Sequence, residues 1–510
     1  MRVAIVGFGP KGLFALERLL DHVRTLEPGT RLEVDLFEPH PSPAAGPSYD
    51  PTQPPYLRMN IAGDLLDMWW PESRAVPAAT RRSFTAWRDA AGERDEGAYP
   101  SRAQVGRYLS AGFEALLEHA PRSVMVRLRA STVDGVSPGG RGWDVTSEGT
   151  LAGSYDEVLV ATGHVHGSPF PLDRWLSLDR VPAGATVAVR GFALTFIDVA
   201  LALTEGRAAC DAASAIVPFS RTGRPMLAKP SPAVAAAIPG IAAIAEHGSA
   251  EILALDGRVD LRRDLLPILA RTAGDGAAAW LSRAASGVPV ASDLPPAAEL
   301  ERSLAIGSGN AAPDLSWALG HSWRALYPAI VERLGGSGLE TRDWPAFRRL
   351  AAELERVAFG PSPANAERLL ALIRSGRVDL DLVAGGRLVE RDGRLLVCAT
   401  SGERAVDAVV DAVLPGPGVP AGSDGLVARL VSEGHARILR FRRGIEVDPD
   451  GSCIGRDGSR SHGLAAIGRP TEDCVIGNDT LSRTLHPLAD RWGRRVAERC
   501  RAATAEPALS

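Results

Sequence analysis

Near the start of the chain, "VAIVGFGPKG" (residues 3–12) sets Gly7, Gly9 and Gly12 in G-x-G-x-x-G spacing behind an apolar run. Glycines so spaced can cradle a pyrophosphate: the first permits a tight turn, the second lets phosphate approach the backbone, and the third lets a helix pack against a strand. With 53 glycines among 510 residues, the bare pattern arises about 0.5 times per chain by chance, so the flanking residues must carry the reading.

They do so from three sides. "RVAIV" is a continuous β-branched run suited to a strand buried on both faces. "PKGLFALERLLDHV" repeats leucine at helical spacing, at Leu13, Leu16, Leu19 and Leu20. In "RLEVDLFEP", Leu32, Val34 and Leu36 alternate with polar residues, and Glu38 closes this second strand 26 positions beyond Gly12. A dinucleotide fold expects an acid roughly 20 residues on, and a longer helix accounts for the difference. Glu38 would accept hydrogen bonds from ribose hydroxyls. It would repel a 2′-phosphate by about 4 kcal/mol per charge pair at 4 Å in a medium of effective dielectric 20, so the site suits FAD or NAD and not NADP.

A second unit follows. "YDEVLVATGH" (residues 155–164) reads as a strand ending in Ala161, Thr162 and Gly163, and "VPAGATVAVRGFALTFIDVALAL" starts a further strand, turn and helix at about residue 185. Its glycine pattern is incomplete: Gly191 is kept, Ala193 takes the second position and Phe196 the third. The next strand, in "SAIVPFSRTGRP", ends not in an acid but in Ser220 and Arg221, with Arg224 close behind. A guanidinium binds phosphate through two parallel hydrogen bonds, which favours a 2′-phosphorylated cofactor here over a structural arginine on an exposed turn. Two such units suggest two dinucleotides.

Further residues stand out as candidates. Asn60 in "NIAGDLLDMWWP" offers an amide to a ring edge or a substrate, or equally to a loop cap. Adjacent Trp69 and Trp70 offer either an apolar wall over a cofactor or ordinary core packing. His164 and His166 form an H-x-H without a third ligand, which suits a hinge better than a metal, and no metal is expected. No Ser-His-Asp elbow or pair of carboxylates is evident.

The set "VGFGPKG", "YLRMNIAGDLLDMWWP", "YPSRAQVGRYL", "VATGH", "GFALTFID", "FGPSPANAERLLALIRSGRVDL" and "GLAAIGRPTED" resembles the bacterial FAD/NAD(P)-binding proteins that include FAD-dependent urate hydroxylases and aspartate N-monooxygenases. The likeness runs to about residue 497, and is more distant to class B flavin monooxygenases such as ornithine N-hydroxylases. It implies FAD on Gly7, Gly9, Gly12 and Glu38, Thr162 and Gly163 near the flavin, Gly468 of "AIGRPT" closing over it, and NAD(P)H at Gly191 and Arg221. It implies an NADPH-driven monooxygenase that uses dioxygen through a flavin hydroperoxide to N-hydroxylate a small amino acid or amine, aspartate-like. The alternatives are a urate-like heterocycle hydroxylase, a flavin oxidase if the incomplete second motif leaves NADPH unused, and a non-catalytic flavin-binding regulatory protein.

The expected architecture is α/β: two Rossmann-like dinucleotide-binding domains, the FAD domain discontinuous, with an inserted helical region. The FAD domain would take residues 1–165 and 450–510, the latter through the strand-like "HGLAAIGRP" and a helix over "SRTLHPLADRWGRRVAERC". The NAD(P) domain would take 184–230 and 385–449, with strands in "RLLVCAT" and "VDAVVDAVLP". Residues 231–384 read as helical. Phe347, Leu350, Leu354 and Val357 share one face behind Asp343 and Pro345, and Ser362 with Pro363 opens a helix that stops at Gly376.

Composition closes off other classes. A 45% hydrophobic content supports several cores, a net charge of −4 without a basic run argues against nucleic acid, and every long apolar stretch is interrupted before about 18 residues. The five cysteines, Cys210, Cys398, Cys453, Cys474 and Cys500, are dispersed and odd in number, as reduced thiols would be. The expectation is a cytoplasmic protein with a small-molecule substrate and dioxygen as partners and no membrane contact; self-association into a homo-oligomer stays open.

Overall fold

The computed structural model describes the chain except residues 27–29, 141, 164–171, 232–233, 236–240, 291, 415, 417, 421, 479 and 506–510. Strand β1 (Arg2–Val6) is sealed on both faces, with no exposed surface on Val3, Ala4 or Ile5, which is why its sequence is unbroken rather than alternating. Helix α1 (Pro10–Val23) places Pro10 in the first turn, where a missing N–H costs nothing, and buries Leu13, Leu16, Leu19 and Leu20. Strand β2 (Leu32–Phe37) lies parallel to β1. Helix α2 (Arg102–Glu118), capped by the Ser101 side chain accepting from the Gln104 N–H, leads to β3 (Val124–Arg129), parallel to β2. An antiparallel sheet of β4 (Val133–Gly139), β5 (Gly142–Ser147) and β6 (Thr150–Tyr155) then carries the chain back to β7 (Glu157–Val160), parallel to β1 on its other side.

The second unit repeats this plan. Strand β8 (Thr186–Arg190), helix α3 (Leu194–Leu203) and strand β9 (Ala215–Phe219) form its parallel core. Helices α4 (Ile241–Leu253), α5 (Leu266–Ala273), α6 (Ala277–Ser286), α7 (Pro296–Gly307), α8 (Leu315–Leu334), α9 (Trp344–Ala358) and α10 (Pro363–Arg374) intervene. A three-stranded antiparallel sheet of β10 (Arg387–Arg391), β11 (Arg394–Ala399) and β12 (Gly402–Val406) returns to β13 (Ala408–Asp411), parallel to β8. After α11 (Leu426–Ser432), strands β14 (Ser452–Ile454) and β15 (Arg460–Ala466) complete the first sheet in the order β14-β15-β7-β1-β2-β3. The α/β class with two dinucleotide-type units thus stands as expected.

The stretches that join each unit depart from expectation in three places. Residues 378–384, expected in the helical region, run beside β9 through parallel bridges Ile216 to Val378 and Ser220 to Ala384. Two isolated bridges leave no alternating pattern to read. Helix α10, also inside that region, buries Ala366, Leu369 and Leu370 in one core with Phe196 of α3. Val427, Leu430, Ala436 and Ile445, expected with the second unit, bury instead against Val136, Trp143 and Val145 of β4 and β5. The last helix, α12 (Leu488–Ala505), starts later than expected because Pro487 disfavours helical geometry in the residue before it.

Helix α12 packs along α1, where Trp492, Val496 and Ala497 are fully buried and a Cβ at Gly493 would stand 3.0 Å from the Arg18 carbonyl carbon. Buried charges lock this contact: Arg18 Nε lies 2.9 Å from Asp490 and Arg483 Nη2 2.5 Å from Glu17. The C-terminal segment is thereby held along the middle of α1.

Candidate functional site

The carboxyl ends of β1, β2, β7 and β15 meet at one edge: Gly7 N–H donates to Phe37 O at 2.9 Å, Ala161 N–H to Val6 O at 2.8 Å, and Ile467 N–H to Val160 O at 3.0 Å. From β1 the sheet runs to β2 and β3 on one side and to β7 on the other, and such a switch point is where ligands settle in open α/β sheets. Gly7 has φ +89° and a Cβ there would lie 2.8 Å from Ala161 O. A Cβ on Gly12 would lie 2.5 Å from Gly7 O, so helix and turn touch backbone to backbone. Gly9 differs: a Cβ there meets nothing within 4 Å, leaving a cradle open at the amide-rich start of α1. Gly46 of the overlying segment lies across it, its Cβ position 3.7 Å from Gly9 Cα.

Glu38 sits at the lip of this turn, buried. Its Oε2 accepts from Phe8 N–H at 2.8 Å and its Oε1 from His40 N–H at 3.0 Å. Each oxygen has a second lone pair, so the carboxylate is fixed toward the crevice and still able to accept from vicinal hydroxyls. Across the crevice, Thr162 Oγ1 is buried without a hydrogen-bond partner among the described residues, and Gly163 is exposed with open space at its Cβ position. Gly468 adopts φ +76°, and its Cβ position lies 3.2 Å from Lys11 Cγ. Lys11 Nζ in turn donates to Thr480 O at 2.6 Å, so Gly468 and Thr480 both meet the first turn of α1. An orphaned hydroxyl, a cradle that only a missing Cβ keeps open and a fixed carboxylate together fit a dinucleotide such as FAD.

In the second unit the turn keeps its form with only the first of its three glycines. Gly191 N–H donates to Phe219 O at 2.9 Å and Ala412 N–H to Arg190 O at 2.9 Å, the counterparts of the Gly7 and Ala161 bonds. Gly191 has φ +109°, Ala193 caps α3, and Phe196 is fully buried against Phe192, ring centroids 5.1 Å apart. Arg221 is exposed and forms no ion pair among the described residues. Arg224, by contrast, is engaged by Glu353 at 2.8 Å and Glu299 at 3.6 Å.

Core packing claims Trp69, which is buried in the first unit; Trp70 stacks on guanidinium groups, its ring centroid 5.5 Å from Arg18 Cζ and 5.8 Å from Arg483 Cζ. The area of two indoles is accounted for there. His164 and His166 lie outside the described residues. Among the described residues no cluster of metal-ligating side chains forms, and no helix is long and apolar enough to cross a membrane.

Asn60 is brought into a cleft the sequence did not reveal. Its Nδ2 donates to Phe359 O at 3.4 Å, and its own carbonyl accepts from Lys229 Nζ. Lys229 also lies 5.4 Å from the Phe359 ring, Tyr99 donates to Pro230 O at 3.1 Å, and Arg324 donates to Ala358 O at 2.7 Å. Burial, with Arg324 adding repulsion, pushes the Lys229 ammonium down to about 8. One signal was available: only two of the 57 basic residues are lysines, Lys11 at the start of α1 and Lys229 here. In a chain that otherwise supplies cations as arginine, a compact titratable ammonium marks a position apart.

The geometry defines a two-unit dinucleotide-binding α/β protein whose first unit, over residues 4–165, matches the family described as FAD-NAD(P)-binding. Over 233 residues the chain is 31% identical to nitrosuccinic acid synthase of Aspergillus oryzae, covering 40% of this chain and 35% of that protein. Over 256 residues it is 28% identical to the nitrosuccinate-forming L-aspartate N-monooxygenase of Streptomyces davaonensis, covering 40% and 39%. The matched stretch therefore spans little more than a third of each relative's length. In fold the chain is similar to ornithine hydroxylase of Pseudomonas aeruginosa (TM-score 0.52, 13% identity, 98% of each chain covered). It is equally similar to L-lysine 6-monooxygenase of Pseudomonas syringae (TM-score 0.52, 13% identity, 98% and 99% covered).

Proposed function

We propose that this protein is an FAD-dependent, NADPH-driven monooxygenase that N-hydroxylates a small amino acid of the aspartate type. The observation that carries this reading is the crevice over Gly9, its cradle open at the start of α1, bounded by Glu38, the orphaned hydroxyl of Thr162 and the turn at Gly468. Likeness to two aspartate N-oxidising proteins over part of the chain supports the substrate class. Bound FAD would supply electron transfer and oxygen activation; the protein would bind, orient and exclude water. Gly7, Gly9, Gly12 and Glu38 would hold its pyrophosphate and ribose, Thr162 and Gly163 would lie beside the ring, and Gly468 would close the site. Gly191 and Arg221 would receive NADPH.

An amine must be neutral to take up oxygen, and each unit by which its pKa exceeds the pH costs about 1.4 kcal/mol. A half-buried cleft holding two cations lowers that cost by favouring the neutral amine. The test is aerobic NADPH oxidation by the FAD-loaded protein with and without L-aspartate, with N-oxygenated product assayed. Aspartate-dependent NADPH consumption with such a product is expected. Hydrogen peroxide formed without NADPH would favour the flavin oxidase reading that the departures at Ala193 and Phe196 support, and a colourless protein that never takes up FAD would overturn the assignment.

A further inference from the structure

Two cations in the cleft lack a counter-ion. Arg324, on α8, is half-buried and spends one N–H on Ala358 O at 2.7 Å; Lys229 spends one on Asn60 O and rests on the Phe359 ring. Neither forms an ion pair among the described residues. The buried guanidinium groups of Arg18, Arg356 and Arg483 are neutralised, Arg18 by Glu17, Asp21 and Asp490, Arg356 by Glu299 and Glu353, and Arg483 by Glu17, whereas half-buried Arg442, like Arg324, bonds backbone carbonyls. Lys229 and Arg324 converge on consecutive residues, Ala358 and Phe359, at the end of α9. His321, one turn before Arg324 on α8, adds a third cationisable group, its ring stacked on Trp317 with centroids 5.0 Å apart. Asp64 acts electrostatically on Tyr99 yet pairs with neither cation. A cavity of about 270 Å³ opens beside Arg324, next to Ala228 and Pro230; Arg224 and Arg302 also line it, as do the carboxylates Asp293, Glu299 and Asp314, of which Glu299 pairs with Arg224 and Arg356 and Asp314 with Arg302.

The cluster packs against the segment that crosses the dinucleotide turn. Phe359 packs edge-on to Tyr327, centroids 5.4 Å apart, and Tyr327 Oη stands 2.8 Å from the Cβ position of Gly477. Gly477 belongs to the segment that crosses α1 at Lys11. An unpaired charge in a half-buried site is costly and is relieved by an anion that brings its own hydrogen-bond acceptors. Four N–H donors of Arg324 and two of Lys229 remain for it.

We propose that Lys229 and Arg324 bind the carboxylates of the substrate and select an amine bearing two of them over a basic amino acid. This rests on the monooxygenase reading. A single carboxylate would leave one cation unmatched, and an ornithine- or lysine-like side chain would add a third positive charge beside the other two. Specificity would then come as much from repulsion of cations as from attraction of a dianion.

The test is isothermal titration of the FAD-loaded protein with succinate, L-aspartate and L-ornithine, for the wild type, Lys229→Met, Arg324→Gln and the exposed control Arg271→Gln. Binding of succinate and aspartate without ornithine is expected, with Kd raised at least about tenfold in Lys229→Met and Arg324→Gln and unchanged in Arg271→Gln. Lys229→Arg and Arg324→Lys, which keep the charge, should retain most of the affinity. Equal affinity for ornithine in the wild type, or unaltered dianion binding in both charge-removing variants, would overturn the proposal; the wild-type ligand panel decides even where a variant fails to fold. Succinate binding as expected with no aspartate-dependent NADPH oxidation would remove the monooxygenase reading and leave this site standing, whereas aspartate turnover with unchanged Kd and KM in both variants would do the reverse.

Discussion

A Cβ added to Gly9 meets nothing within 4 Å, whereas one added to Gly12 lies 2.5 Å from a carbonyl oxygen. The two glycines therefore answer to different demands, one to a ligand and one to the fold. Gly9→Ala should leave the stability of the FAD-free protein within about 0.5 kcal/mol of wild type while lowering its FAD affinity. Gly12→Ala should cost about 1–3 kcal/mol in stability whether FAD is present or not. Thermal unfolding and flavin absorbance, measured side by side, separate the two. Arg221 permits a parallel comparison in the second unit. A charged hydrogen bond is worth about 1.5–3 kcal/mol, so Arg221→Ala should raise the KM for NADPH at least about tenfold and leave that for NADH nearly unchanged. An equal effect on both cofactors in steady-state assays would remove Arg221 from the 2′-phosphate. The glycine turn and Glu38 were legible in the sequence because each has its partner within about 40 residues. Asn60 was legible as a candidate, but its partners were not, since Lys229 meets it across 169 positions and Phe359 across 299.

Helices α2 and α3 come from different units and are joined by a half-buried pair: Arg102 Nη2 donates to Asp198 Oδ2 at 2.7 Å. Burial of Asp198 outweighs Arg102, raising the carboxyl to about 6 from an ordinary value near 4. The folded state thus holds this proton more tightly than the unfolded chain. Its contribution is most favourable below the unfolded pKa and is lost as pH rises through the folded value. About two units correspond to about 3 kcal/mol at most. Asp198→Asn should match wild type near pH 4 and gain on it progressively up to pH 7, as followed by denaturant unfolding at several pH values; a difference constant with pH would contradict this origin. The strand and helix types were readable from period and burial, since β1 is apolar throughout and α9 turns Phe347, Leu350, Leu354 and Val357 inward. The strand-like stretch at 378–384 was not, because only two isolated bridges define it.

Each half of the molecule follows one plan of strand, helix, strand, antiparallel three-stranded sheet and returning strand, and the helices inserted into the second half form one wall of the cleft. The repetition is of topology and not of sequence: Gly7 and Gly191 occupy equivalent turns, but Phe196 fills the core where Gly12 touches backbone. The second turn keeps its form with Gly191 alone, so the proposed second site would depend on chemistry at Arg221, whereas the first rests on an intact cradle. Everything proposed for substrate and oxygen depends on that first cradle being filled. The most direct measurement is the stoichiometry of FAD bound by the wild type and by Glu38→Ala, with circular dichroism to confirm that both are folded. One FAD per chain in the wild type and a large loss in Glu38→Ala are expected. A folded wild type that takes up no FAD, or a Glu38→Ala protein that holds it as tightly, would contradict the placement of the cofactor against the start of α1.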